Sequence, residues 1–397
     1  MTARWAVCQL GFREQYAIAR ALVSQHRPLK LITDFWAGEF LANLVPTRHD
    51  PSILRESVTA YNFSTLIFQL MHLRHSDGGW PLIEARNKWF SNKAGKDIDS
   101  SLDIVFAYSY AALEIFEVAK SQGKKTVLGQ IDPGYEEHKL VSRLQANAGI
   151  RQAKKPSHEY WDRWSRECEL ADVILVNSMW SRAGLLNHGV EEHKIKVVPL
   201  AIDSRPREER SCAWPATVNE YRPLRILFLG QLNLRKGILD TIEAVNMLQG
   251  YPVEWYFVGS GEKVICDKLG QFENVHMIGQ IAHSKIDSFY QKADVFLLPT
   301  HSDGFALTQL EALSNQLPII ASRFCGEVVK DGETGIVLEE VNAESIASAI
   351  LKFVEEPALI SEYSEAAVIE KQWTIEGLGE NLVSIEAELL SEGSAQC

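Results

Sequence analysis

The residues whose types and spacing carry the most chemistry lie between Ala293 and Ser322, in the run ADVFLLPTHSDGFALTQLEALSNQLPIIAS. An apolar strand ends at Pro299. A polar loop, Thr300-His301-Ser302-Asp303-Gly304, leads into a helix predicted over 305–315. The free N–H groups and dipole of a helix start favour an anion such as a diphosphate, and Gly304 lets the backbone approach a ligand closely. Asp303 sits in the loop and Glu311 stands eight residues on, about two turns into the helix. The pair could reach neighbouring parts of one ligand. Taken alone, the two residues read equally as an N-cap and a helix-surface Glu.

A second cluster is Gly230-Gln231-Leu232-Asn233-Leu234-Arg235-Lys236-Gly237. Here a strand ends in glycine and adjacent cations, Arg235 and Lys236, precede a helix. Such cations can neutralise phosphate oxygens, although in isolation they are solvated loop charges. A third is the glycine turn Val258-Gly259-Ser260-Gly261 between strand and helix. The three clusters gain meaning together, because they fall at the ends of strands of one sheet.

The elements that must position them alternate clearly. Strands are predicted at 224–230, 253–259, 275–279, 294–299, 318–322 and 335–338, and helices at 237–248, 262–270, 285–293, 305–315 and 343–355. Continuous apolar strands between helices mean a parallel sheet covered on both faces. The first half repeats the theme with strands at 5–10, 29–35, 103–108, 126–131 and 173–177 and a helix at 14–24, while residues 40–100 read as helices with long loops. The fold class is α/β, with two doubly wound domains. The charged, proline-punctuated run Ser204–Arg210, with Pro215 and Pro223 after it, marks the boundary.

On these motifs the chain resembles the GT-B retaining glycosyltransferases, specifically the GT4 family. The pieces GQLNLRKG, FVGSGE, VHMIGQIAHSKIDSFYQKADVFLLPT, SDGFALTQLEALSNQLPIIAS and VVKDGETGIVLE occur in family order, and ADVILVNSMWSRAGLLNHGVEEHKIKVVPLAID resembles the end of the N-terminal domain and the crossover. The resemblance implies two Rossmann-like domains facing a cleft. Residues 1–203 would bind the acceptor, residues 204–373 the nucleotide sugar, and a helix over about 374–390 would pack back on the first domain. Asp303 and Glu311 stand where the family has two glutamates, associated with the donor sugar and the ribose. Lys236 stands at the phosphate-binding lysine. Gly304, Phe305, Ala306, Leu307 and Thr308 would supply backbone amides to sugar and phosphate, and Gly11 would contact the donor phosphate after the first strand. Asp132 is the nearest polar residue to the family's catalytic-cleft position, with His138 further on the acceptor side. The implied catalytic set is Asp303, Lys236 and Asp132. The implied donor contacts add Gln231, Arg235, Gly259 and Gly261.

Departures are visible. Asp303 is shorter than the family's Glu, Gln231 replaces an Arg whose charge Arg235 could restore, Gln316 replaces a glycine, and Leu200-Ala201 replaces Asn-Gly. Asp132 also reads as a turn cap before Pro133-Gly134, and His138 as a helix-surface residue. The expected reaction is transfer of a hexose, with UDP-glucose the expected donor, to a saccharide, lipid-linked or small-molecule acceptor. Anomeric configuration would be retained and no metal or other cofactor used. The alternative is a catalytically weak or inactive nucleotide-sugar binder.

Composition agrees with a soluble globular chain: 397 residues, 46% hydrophobic and 23% charged. Net charge is −12, with 25 Lys/Arg against 22 Asp/Glu in residues 1–200 and 15 against 30 in residues 201–397. An acidic chain is a poor nucleic-acid binder. The six cysteines form no Cys-x-x-Cys pair, which with the unsecreted-looking N-terminus predicts a reducing, cytoplasmic location, with weak peripheral membrane contact through the first domain. That contact would use Trp164 with Arg163, Arg166, Lys154 and Lys155, although the same aromatics read equally as core. Asp97-Ile98-Asp99 matches a metal-binding Asp-x-Asp pattern but precedes a strand, so it reads as a loop.

Overall fold

The computed structural model describes residues 2–38, 45–72, 79–150, 155–203, 214–282 and 285–394. One parallel sheet holds β1 (Trp5–Gln9), β2 (Leu29–Thr33), β3 (Val58–Ala60), β4 (Ile104–Tyr108), β5 (Lys125–Gln130), β6 (Val173–Val176) and β7 (Ile195–Val197), in the order β3-β2-β1-β4-β5-β6-β7. A second holds β8 (Leu224–Leu229), β9 (Val253–Val258), β10 (Val275–Gly279), β11 (Val295–Leu298), β12 (Ile319–Ser322) and β13 (Gly335–Leu338), in the order β10-β9-β8-β11-β12-β13. Strand order reverses between β1 and β4 and between β8 and β11. In open α/β sheets the ligand crevice lies at such a point, beyond the carboxyl ends of the strands.

Helices α1 (Ala17–Ser24), α2 (Asn62–His72), α3 (Trp80–Gly95), α4 (Leu113–Ser121), α5 (Tyr135–Asn147), α6 (His158–Leu170) and α7 (Met179–Asn187) accompany the first sheet. Helices α8 (Ile238–Met247), α9 (Lys263–Leu269), α10 (Asp287–Lys292), α11 (Thr308–Ser314), α12 (Ala343–Glu355) and α13 (Ala358–Ala366) accompany the second. The central strands are buried along their whole length, as in β1, β4 and β11. This is why their sequences run apolar without alternation. The last helix, α14 (Ile375–Ser394), returns to the first sheet: Leu378, Leu382, Ile385 and Leu389 join the core of Trp5, Ala17, Ala21 and Leu22. Glu386 anchors it, accepting from Trp5 Nε1 at 2.8 Å and pairing with Arg27 at 3.1 Å.

Three expectations change. The helix predicted from Phe305 begins at Thr308, because Ala306 has φ +65° and breaks the right-handed run. The helix predicted from Glu14 begins at Ala17, because Glu14, Gln15 and Tyr16 all have positive φ, at 48°, 51° and 59°. Of the residues named for a membrane contact, Trp164 and Arg163 are engaged within the protein, while Arg166 and Lys155 are exposed. Trp164 is fully buried and donates to Gln130 Oε1 at 2.9 Å, while Arg163 pairs with Glu114 at 2.7 Å. Lys154 and the run Ser204–Arg210 lie outside the described residues. The Asp-x-Asp pair is a loop brace, with Asp99 accepting from Ser101 N at 2.9 Å and from Lys30 at 2.9 Å.

Candidate active site

The loop after β8 is pressed against the end of β11. Gly237 has φ +71°, and a Cβ there would stand 1.9 Å from Pro299 O, so only glycine permits the contact. Asn233 Oδ1 accepts Lys236 N–H at 3.1 Å and shapes the turn. Arg235 O accepts from His301 N–H at 2.8 Å and from Thr300 Oγ1 at 2.9 Å, which zips the two loops together.

This packing delivers both cations to one carboxylate. Lys236 Nζ pairs directly with Asp303 Oδ2, and Arg235 Nη1 lies 3.1 Å from the same oxygen and 2.7 Å from Ser302 O. Burial raises the Asp303 pKa, but Lys236 and Arg235 outweigh it and bring the group down to about 2. Asp303 Oδ1 accepts Phe305 N–H at 3.2 Å, so it caps the loop and not a helix.

A fourth charged group comes from the other domain. Glu137, on α5, accepts from Ser302 Oγ at 2.6 Å and lies 3.7 Å from Arg235. Trp180 Nε1 donates to the same Ser302 Oγ at 2.9 Å. Burial, reinforced by the neighbouring Asp132, lifts the Glu137 pKa to about 7. The sequence reading missed this residue. Glu136-Glu137-His138-Lys139 looks like an ordinary polar helix start, and the Ser302 and Arg235 contacts of Glu137 come from the second domain.

The loops of the two sheets meet at Gly304. A Cβ there would lie 1.9 Å from Ile131 O, and Gly304 O accepts from Ser178 Oγ at 2.7 Å and Ser181 Oγ at 3.3 Å. Beside this contact opens a cavity of about 520 Å³, lined among others by Asp132, Glu137, His138, Trp161, Asn233 and Arg235. Asp132 Oδ1 accepts from Tyr110 OH at 2.5 Å, Gln130 Nε2 at 3.0 Å and Gly134 N–H at 2.9 Å. Asp132 therefore caps its turn and lines the cavity at once. His138 packs at a tilt against Trp161, with ring centroids 5.3 Å apart, and burial lowers its pKa.

The other expected residues are distributed around this centre. Glu311 accepts from Tyr290 OH at 2.8 Å and lines a smaller recess with Leu307, Glu14, Gln15 and Arg20. That recess lies under the left-handed run at Glu14–Tyr16, an unusual conformation for non-glycine residues. Gly11 N–H donates to Asp34 Oδ1 at 2.9 Å in the same loop. Thr308 Oγ1 is buried without a partner among the described residues. Phe305 is a core anchor, 2% exposed, packed against Gly326. Gly259 lies under Gly230, where a Cβ would meet Gly230 O at 1.8 Å, and Gly261 packs on Leu232. Gln231 is not drawn into the cation cluster. It is exposed, and its Oε1 accepts from Asn233 Nδ2 at 3.2 Å. Among the described residues no group of three His, Cys, Asp or Glu is placed to hold a metal ion.

Residues 216–369 match the family model described as glycosyl transferases group 1. The chain is similar to a glycogen synthase of Mycobacterium tuberculosis, 27% identical over 165 residues that cover 39% of this chain and 40% of the relative. It is similar to the capsular polysaccharide biosynthesis glycosyltransferase CapM of Staphylococcus aureus, 31% identical over 142 residues covering 33% and 37%. The matched part thus spans about half or less of the length of the curated relatives it matches. Among solved structures, Anabaena HepE in complex with UDP-glucose superposes with a TM-score of 0.64 at 15% identity, covering 98% of this chain and 100% of that one. The match to glycosyl transferases group 1 spans residues 216–369, and the whole chain has the two-domain GT-B fold, as the sequence resemblance implies.

Proposed function

We propose that the chain is a glycosyltransferase that moves a hexose from a nucleoside-diphosphate sugar to a hydroxyl-bearing acceptor, with retained anomeric configuration. The observation that carries the reading is the cluster of Lys236, Arg235 and Asp303 at the crevice ends of β8 and β11, faced by Glu137 and Asp132 from the other sheet. UDP-glucose is the donor we carry over from HepE, which is described in complex with it. In this reading Lys236 and Arg235 balance the charge that develops on the departing diphosphate. The 304–308 backbone faces the phosphates and sugar, and Glu311 takes the ribose. The transition state resembles an oxocarbenium ion. The acceptor hydroxyl attacks from the face the diphosphate leaves, passing its proton to a leaving phosphate oxygen. Asp132 orients that hydroxyl, and no metal takes part.

The test begins with thermal shifts against UDP, GDP and their hexose conjugates, since a ligand of the native state raises apparent stability. UDP-glucose turnover is then followed with and without EDTA, and the product anomer is read by NMR. Lys236→Ala should lower turnover by about 10²-fold or more, the scale of losing one charge-stabilising donor. Tight UDP-glucose binding with no turnover on any acceptor would replace the enzyme by a nucleotide-sugar binder. Loss of activity in EDTA would remove the metal-free mechanism.

A further inference from the structure

We propose that the cavity beside Gly304 takes an uncharged saccharide ring as the acceptor end, and rejects phosphorylated or carboxylated ones. The inference rests on the glycosyltransferase reading for the word acceptor, but its lining chemistry stands separately. The volume of about 520 Å³ lies within the ~300–1,000 Å³ of ligand pockets. One wall is aromatic. Trp161 is half-buried there, backed edge-on by Tyr160 at 5.0 Å and Trp164 at 5.8 Å, with Trp80 alongside. An aromatic face carries negative charge density, so it attracts the polarised C–H face of a pyranose and buries it from water.

The opposite chemistry is supplied by carboxylates. Asp132 receives its three hydrogen bonds on Oδ1, and Glu137 receives Ser302 Oγ on Oε2. Among the described residues that leaves Asp132 Oδ2 and Glu137 Oε1 as acceptors for sugar hydroxyls. The geometry is built in advance. Tyr110, which donates to Asp132, is held at φ +73° by the buried Glu167 carboxylate, which accepts its N–H at 2.6 Å, and its ring stacks on Tyr160 at 5.1 Å. A bulky residue kept in the left-handed region marks a position that the surroundings over-determine, and such positions cluster at binding sites. Charge decides the class of sugar. Among the described residues lining the cavity the only cation is Arg235, which already serves Ser302 O, Asp303 and Glu137. A phosphate or uronate would enter against Asp132 and Glu262, and among the described lining residues the one cation is already engaged.

The experiment titrates the full chain, saturated with UDP, with maltose, cellobiose and lactose, and in parallel with glucose 6-phosphate and glucuronic acid. Saturation-transfer NMR gives the dissociation constants and the ring protons in contact. The expected result is binding of at least one neutral disaccharide through its ring C–H protons, with both anionic sugars about tenfold weaker or worse. Trp161→Leu should weaken the neutral sugar by about tenfold, the scale of one aromatic contact. Anionic sugars binding as tightly as neutral ones would overturn the proposal. So would the absence of any sugar binding, or a Trp161→Leu variant that binds the neutral sugar unchanged. The comparison of neutral and anionic sugars on the unmodified chain needs no variant to fold. UDP is titrated alongside: failure of UDP to bind removes the donor reading while the sugar data still decide the cavity.

Discussion

Asp303 is held by opposing forces, and its titration follows from which one wins. Its pKa lies at about 2, below the ordinary 3.8, because Lys236 and Arg235 overcome the cost of burial. A carboxyl with a depressed folded value stabilises the fold above its unfolded value, and that stability is lost as pH falls from about 4 toward 2. Asp303→Asn should therefore cost about 2 kcal/mol near pH 7 and much less at pH 2, read from urea midpoints at both pH values. Glu137 behaves in the opposite sense. Burial and Asp132 raise it to about 7, so the folded state keeps its proton above pH 4.5, and the associated stability is lost as pH rises through 7. Glu167 is also raised by burial to about 7, so a stability curve mixes the two. Donor binding separates them. With Glu137 protonated, Lys236, Arg235 and Asp303 sum to one positive charge, and with it ionised they sum to zero. Glu137→Gln should bind UDP like the parent at pH 6 and about three- to tenfold tighter than the parent at pH 8, by calorimetry. Equal ratios at both pH values would show that Glu137 does not face the nucleotide's charge.

At the scale of elements, α4 depends on one residue of α6. Glu167 accepts the N–H groups of Tyr110, Ala112 and Leu113 at 2.6, 2.8 and 3.1 Å, which satisfies the start of α4 where no side chain of its own caps it. Glu167→Ala should cost about 3 kcal/mol or more, because three buried donors lose their acceptor. Glu167→Gln should cost less, since one amide oxygen remains to accept. Chemical denaturation of both variants checks the order. Such long-range caps are invisible in sequence, whereas the longer strands of both sheets were legible as apolar runs, and the two short edge strands β3 and β7, of three residues each, were not. The 275–279 strand and the 343–355 helix match residue for residue, the helix starting at a capping box in which Asn342 Oδ1 accepts Ser345 N–H at 2.8 Å. Left-handed backbone was not legible. Ala306, Tyr110 and the run Glu14–Tyr16 are not glycines, so nothing announces them, and the helix starts after Ala306 and after Tyr16 were placed three residues early. Gln316, noted only as a replaced glycine, also has a positive φ, of 61°. The cations and Asp303 could be found because a strand-loop-helix pattern brackets them. Glu137 and Tyr110 could not, since they matter only once two sheets dock.

The whole molecule is tied together by reciprocal crossings. The chain passes from the first sheet to the second after residue 203, and α14 returns to bury Leu382 and Leu389 beside Trp5. The loops of the two sheets meet most tightly at Gly304 among the described glycines. Gly304 there has no left-handed φ, so alanine would suit its backbone, and only the contact with Ile131 O forbids a Cβ. Both sides of that contact are main chain and cannot swing away as a side chain could. Gly304→Ala must therefore push the β5 loop and the β11 loop apart, stretching the bonds from Ser178 and Ser181 and from Ser302 to Glu137. Neither sheet's core touches the new methyl, so each domain should unfold close to its parental denaturant midpoint. The Asp303–Lys236 pair lies within one domain, but the 304–308 backbone that faces the donor phosphates moves with Gly304, so UDP affinity should fall as well. Transfer needs donor and acceptor residues from both sheets in register, and a misplacement of about 1 Å can cost about 10²-fold. The expected signature is turnover reduced by about that factor even at saturating UDP-glucose. Turnover that survives Gly304→Ala would mean that sugar transfer proceeds with these loops apart, and that the packed arrangement at Ile131 is not the one that reacts.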